Sequence, residues 1–447
     1  MKKDSHVSSD FSSIQQGKPA LEPPTNTAEH EPPEEGRGGI RKQILFSGAV
    51  FLFLAAATIA IVLYGSGYRF SLDNGRPEVA KTGILVTTSN PNGAQVLIND
   101  HLTTATDNTI NLTPGEYRVK IFKEGYFPWE KTVRIQKEVV TKAEALLFPT
   151  APKLESITAT GVSNPMPDPS GTKIAYIIAG QTIRKNGIYV FDLTANPVLS
   201  LQGSAKQIVD DTNGLFSQSS FTWSPDGQQL IASLSGELET PTYYLLSAQS
   251  LNDTPRDITA ILTSVQEEWR ADIAQKDKTR TDGLKEPLQK LIKDNFTILA
   301  WSPDDTSSKI LYIAKADATL PLIIKPRLIG VNTLREDRNV TKGAVYAYDT
   351  KEDTNWKILD SFESDCIVDD ADCRLPLRWF PDSKHLSYVY DNKIDIMEYD
   401  ASNQTTIYAG PFIDNYVFPW PNGSKIIVLT NLNNLNIPPN LYTISLK

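Results

Sequence analysis

Phe221-Thr222-Trp223-Ser224-Pro225-Asp226-Gly227 is a strand end running into a tight turn. Pro presets the first corner, Asp bonds its own backbone, and Gly accepts a positive φ. Leu230-Ile231-Ala232-Ser233-Leu234 then reads as a buried strand, and Tyr243-Tyr244-Leu245-Leu246 as a second. The unit recurs. Leu299-Ala300-Trp301-Ser302-Pro303-Asp304-Asp305 and Leu377-Arg378-Trp379-Phe380-Pro381-Asp382-Ser383 repeat it, and Asp168-Pro169-Ser170-Gly171 and Trp420-Pro421-Asn422-Gly423 are degenerate copies. Each copy is followed by an apolar strand and then an alternating one, as in Lys173-Ile174-Ala175-Tyr176-Ile177 and Ile188-Tyr189-Val190-Phe191. One such unit cannot bury both of its faces, so the copies must stack side by side in a ring. Residues 150–447 are therefore expected to form a β-propeller of five to seven blades. Trp223, Trp301 and Trp379 share one repeat position, where packing between blades explains them more simply than ligand stacking. Pro225, Pro303, Pro381, Asp226, Asp304 and Asp382 read as turn formers.

The anchor prolines 169, 225, 303, 381 and 421 stand 56, 78, 78 and 40 residues apart. A blade takes about 40–45 residues, so the two long gaps hold insertions or a further blade. One is legible over 257–295. Ile258, Ile261, Leu262, Val265, Trp269 and Ile273 fall at helical spacing, as do Leu284, Leu288, Leu291 and Ile292, with Gly283 and Pro287 between the two sets. That is a helical hairpin whose apolar stripe is expected to pack on the blades. The other, 315–341, reads as a long loop or lid on one face.

Residues 82–148 show a second β pattern. Gly83 to Thr88 alternates and ends at Asn90-Pro91-Asn92-Gly93, a strong turn signal. Glu116-Tyr117-Arg118-Val119-Lys120-Ile121-Phe122 alternates strictly after Pro114-Gly115, and Gly125-Tyr126 breaks the chain before Lys131-Thr132-Val133-Arg134-Ile135. Short strands at this spacing predict a small antiparallel sandwich.

Upstream lies ILFSGAVFLFLAAATIAIVLY over 44–64. No charge occurs from Gln43 to Tyr68. A helix of this length spans about 30 Å, the thickness of a bilayer's hydrocarbon core. Residues 43–64 are expected to be a retained transmembrane helix, since the segment is long for a signal peptide and has no clear cleavage site. Arg37, Arg41 and Lys42 precede it, whereas Arg69, Asp73, Arg76 and Glu78 follow. That bias predicts a cytoplasmic N-terminus with the bulk of the chain outside. Residues 1–42 are rich in Pro, Ser, Thr and Glu and read as a disordered tail; residues 65–81 read as a linker.

Two resemblances follow from these residues. Pro91-Asn92-Gly93-Ala94, Pro114-Gly115-Glu116-Tyr117 and Gly125-Tyr126 fall in the order of the PEGA domain. The second position of its eponymous motif is here Asn, which is still a turn former. The resemblance implies a small β-sandwich of surface and envelope proteins, acting as a spacer or adhesive unit, with no catalytic residues. The Trp-Ser-Pro-Asp-Gly signature resembles the TolB-type, WD40-like propeller repeat. A bacterial source fits both.

The net charge of −9 argues against a nucleic-acid partner. Cys366 and Cys373 are the only cysteines; they either close one short loop as a disulfide or remain thiols. His6, His30, His101 and His385 are scattered, and no G-x-S-x-G, P-loop or H-E-x-x-H occurs, so no cofactor, metal or catalytic residue is expected. The Asp365, Asp369, Asp370, Asp372 run lacks EF-hand spacing and reads as a solvated loop. The expectation is a non-enzymatic, single-pass cell-envelope protein whose propeller binds a protein or glycan partner. Other classes are a propeller-based hydrolase or enzyme subunit acting on envelope glycan or peptide, and a transmembrane sensor.

Overall fold

The computed structural model describes residues 38–65, 68–73, 76–194, 205–235, 240–361, 376–413 and 416–447. The N-terminal tail up to residue 37, and Cys366 and Cys373 with the acidic run around them, lie outside these. The chain divides into two compact units, residues 1–66 and 67–447.

In the first unit, helix α1 runs from Gly38 to Gly65. From Ile44 to Gly65 it is long and apolar enough to cross a membrane, and none of that window is buried within the protein. It starts before the apolar run, taking in Arg41 and Lys42.

The second unit opens with a hairpin, Tyr68–Asp73 against Arg76–Lys81, in the stretch that reads as linker. A sandwich of two sheets follows. One orders His101–Ala105, Gln95–Ile98, Gly115–Phe122 and Trp129–Ile135; the other orders Asn108–Leu112, Gly83–Asn90 and Val140–Leu146. Alternation places Val119, Ile121 and Val133 inside against Leu85, Ala143 and Ala145. One pair is parallel, Gly83–Asn90 beside Val140–Leu146, because the first and last strands of the sandwich lie side by side.

Five four-stranded antiparallel sheets complete the unit. Blade 1 is Ser163–Pro167, Lys173–Ile178, Gly187–Asp192 and Ala205–Asp210; blade 2 is Ser220–Trp223, Gln229–Leu234, Thr242–Ser247 and Arg256–Asp257. Blade 3 is Phe296–Trp301, Lys309–Ala314, Val345–Asp349 and Thr354–Leu359; blade 4 is Leu377–Trp379, His385–Tyr390, Lys393–Glu398 and Thr405–Tyr408. Blade 5 takes Val417–Pro419, Lys425–Thr430 and Asn440–Ser445, and gains its outer strand from Leu154–Ser156, which pairs Leu154 with Ile444. Buried apolar clusters join blade 5 to 1, 1 to 2, 3 to 4 and 4 to 5.

Among the described residues no such cluster joins blades 2 and 3. The helical hairpin stands there as α2 (Leu262–Asp282) and α3 (Glu286–Asn295). Gly283 closes α2, and Pro287 sits in the first turn of α3, where its missing N–H costs nothing. α3 packs Leu288, Leu291 and Ile292 onto the aromatic face of blade 3, beside Tyr312, Tyr346 and Tyr348. The first apolar stripe packs in part: Ile258 is fully buried and Leu262, Val265 and Trp269 are half-buried, whereas Ile261 and Ile273 are exposed. The 315–341 insertion folds over blade 3. Leu320 and Val340 join that core, and Asp353 accepts from the Ile323 and Ile324 backbone and pairs with Arg338.

The sandwich is clamped to blade 4. Lys131 Nζ lies 2.6 Å from Glu398 and 2.5 Å from Asp400. Trp129 Nε1 donates to Glu398, the Glu130 backbone N–H to Asn403, and Lys384 to Glu144. Phe148 adds an apolar contact beside Phe380 and Ile394. Burial opposes the charge on Lys131, yet Glu398 and Asp400 hold its pKa above the ordinary lysine value. Burial likewise opposes charge on Asp400, and Lys131 and Ser402 hold its carboxyl below the usual range.

A lowered carboxyl pKa contributes stability above about pH 4 that is lost as pH falls through the lowered value; a raised lysine contributes below about pH 10 and is lost on going above the raised one. The clamp is thus at full strength across the neutral range. Lys131→Met strands two buried carboxylates and is expected to cost roughly 3–5 kcal/mol, read by urea unfolding. Adding Glu398→Gln and Asp400→Asn recovers much of that loss. An unshifted midpoint in the single variant would refute the clamp.

Candidate functional site

The signature turns ring one end of the propeller axis. In blade 2, Ser224 Oγ donates to Asp226 at 2.6 Å and the Gln228 N–H at 3.0 Å. In blade 3, burial disfavours the charge on Asp304, but bonds from Ser302, Thr306 and Ser308 hold its carboxyl well below the usual range. In blade 4, Asp382 accepts from His385 Nδ1 at 2.6 Å, with the ring edged by Phe148 and Phe380. These carboxylates are fully engaged in closing turns.

Neighbouring turns interlock. Gly227 has φ +66°, and a Cβ there would come within 2.7 Å of Asp168 in blade 1. The Asp304 backbone N–H donates to Ser383 Oγ of blade 4 at 2.9 Å. Pro225, Pro303 and Pro381 cap the corners and face the two cavities described below.

The tryptophans register how complete the ring is. Trp223 Nε1 donates to the Met166 carbonyl of blade 1 at 3.1 Å, and Trp379 Nε1 to the Ala300 carbonyl of blade 3 at 3.4 Å. Met166, Thr222 and Ala300 each stand three residues before an anchor proline. The matching bond for Trp301 would reach Thr222 of blade 2. It is not made: Trp301 Nε1 is buried with no partner. The seam between blades 2 and 3 is open at the level of this hydrogen bond.

Two cavities result. The axial one, about 590 Å³, is lined by Trp301, Trp379, Phe418, Leu377 and several prolines, with Arg378 as its cation. The Arg378 guanidinium lies over the Phe418 ring, 5.6 Å from its centroid. The second, about 810 Å³, lies between blade 2 and α2 and touches Pro169, Ser170 and Pro303. Among the described residues no cluster of His, Cys, Asp or Glu is placed to hold a metal ion.

The turn residues of the sandwich lie apart from both cavities. Pro91, Asn92 and Gly93 form the turn, with Lys123 Nζ on the Asn92 carbonyl at 2.6 Å, and Ala94 is fully buried. Pro114 and Gly115 lead into the central strand, while the Gly125 carbonyl accepts from Thr150 and Tyr126 bridges to Pro149. Sequence reading passed over Arg378 and the α2 cations Arg270, Lys276 and Arg280. The signal was there in part: an Arg directly before the signature Trp, and cations at 276 and 280, four apart on one helical stripe, with Arg270 to its side.

Residues 82–150 match the PEGA domain model. No curated protein matches the chain. Among solved structures, similarity is found to a TolB-type protein of Agrobacterium tumefaciens at 14% identity and TM-score 0.20, over 64% of this chain and 74% of the other. TolB of Acinetobacter baumannii matches at 14% identity and TM-score 0.22, over 74% of this chain and 59% of that one. An acylaminoacyl peptidase of Pyrococcus horikoshii matches at 14% identity and TM-score 0.16, over 62% and 36%.

Replacing Trp301 by Phe removes a buried donor that bonds to nothing, whereas Trp223→Phe also breaks a bond. The Trp301 variant is expected to be the milder by about 1 kcal/mol, measured by urea unfolding. Equal losses would mean that the Trp301 N–H is satisfied.

Proposed function

We propose that this chain is a single-pass, membrane-anchored cell-envelope protein that binds a partner outside the cytoplasm and performs no catalysis. The observation that carries this reading is α1. A 22-residue, uncharged and predominantly apolar helix with none of it buried is suited to being covered by lipid. The cations before it and the mixed charges after it favour a cytoplasmic N-terminus. The PEGA-like module serves as a bracket, since the Lys131 clamp fixes its angle to blade 4. The axial cavity is the binding end. Its prolines and tryptophans present rigid apolar walls, and Arg378 supplies one charge to orient a protein segment. The carboxylates at the turns are consumed by structural bonds, which speaks against general acid–base work.

Full-length protein in native membranes is expected to stay in the pellet after alkaline carbonate extraction. Protease added outside should spare an epitope at residue 10 and destroy one at residue 447. A photo-crosslinker at position 378 should give one discrete adduct, absent when it is moved to position 392. Release by carbonate would sink the anchor, and no adduct from position 378 would sink the axial site.

A further inference from the structure

The second cavity points to a different ligand. α2 turns Trp269, Arg270, Lys276 and Arg280 toward it. Three cations lining one cavity stand out in a chain of net charge −9. Lys276 donates to the Pro225 carbonyl at 2.7 Å, and Arg280 pairs with Asp277 at 3.2 Å. Arg270 has no hydrogen bond or ion pair among the described residues, so its guanidinium is available to an incoming anion.

The rim decides what kind of anion. Pro169, Pro225 and Pro303 carry no backbone N–H, so a peptide laid there as an added strand would lack donors for its carbonyls. What the wall does offer is acceptors for hydroxyls, in Thr222 and Gln266, and the indole of Trp269. Hydroxyls, a flat apolar ring face and a carboxylate occur together in an acidic sugar. We propose that the seam between blades 2 and 3 binds an acidic glycan, with Arg270 on the carboxylate and Trp269 stacked on a sugar ring. Room for it lies between blade 2 and α2, where α2 packs only in part and Pro303 is the blade 3 residue that the cavity reaches.

The proposal uses residues separate from the axial cavity's Arg378 and Trp379. It is tested on full-length protein in zwitterionic phospholipid nanodiscs by isothermal titration with tetragalacturonate, cellotetraose and pentaglutamate. Saturable binding of tetragalacturonate, weakening with salt, is expected. Arg270→Gln and Trp269→Ala should each weaken it about tenfold or more, and cellotetraose should bind at least as weakly as the variants do. Arg270 is exposed, so Arg270→Gln should keep the parent's unfolding midpoint; Trp269 is half-buried, so Trp269→Ala lowers it modestly, and both should keep the crosslink from position 378. Absence of saturable binding, binding unaltered in both variants, or pentaglutamate binding as tightly as the sugar would overturn the proposal. Loss of the position-378 adduct alone would bear only on the axial site.

Discussion

A four-stranded sheet has two faces, and each blade here must bury both. Leu230 and Ala232 of blade 2 press toward Ala175 and Ile177 of blade 1, and Leu386 of blade 4 toward Leu311 of blade 3. Burying one such side chain is worth about 1.5–3 kcal/mol, so no blade is stable without its neighbours. The remaining features are ways of meeting that demand. Signature turns interlock through Gly227 and Ser383, tryptophan N–H groups reach back one blade, and the Leu154–Ser156 strand completes the last sheet.

The demand is met differently at one place. Blade 3 turns Phe296, Tyr312, Tyr346 and Tyr348 toward blade 2, but α3 and the 315–341 insertion cover them. Helix and flap do the work of a neighbouring sheet, and they leave a seam. The seam is marked by the buried indole N–H of Trp301, which has no acceptor.

Local patterns carried the sequence reading far. The apolar run from Ile44, the Trp-Ser-Pro-Asp-Gly turns and the alternation of Gly115–Phe122 are each contained within a few residues, and the structure has a helix, turns and a strand at those places. What stayed hidden depends on distant partners. Lys131 meets Glu398 across 267 positions, and nothing near either residue announces it. Leu154–Ser156 is three exposed residues with no alternation, too short to read as the missing strand of blade 5. α2 has the same spacing of apolar residues as a fully packed helix, so periodicity alone could not say that Leu262, Val265 and Trp269 are only half-buried and Ile273 exposed.

The pairing of Leu154 with Ile444 also sets a timetable for biosynthesis. The sandwich has every strand in hand by Leu146, whereas the sheet holding Leu154 must wait for almost the whole remaining chain to leave the ribosome. Closing a loop that long is slow relative to building one blade. The nascent chain therefore passes through an interval with one end of the row of blades uncovered, after the sandwich already has all of its strands.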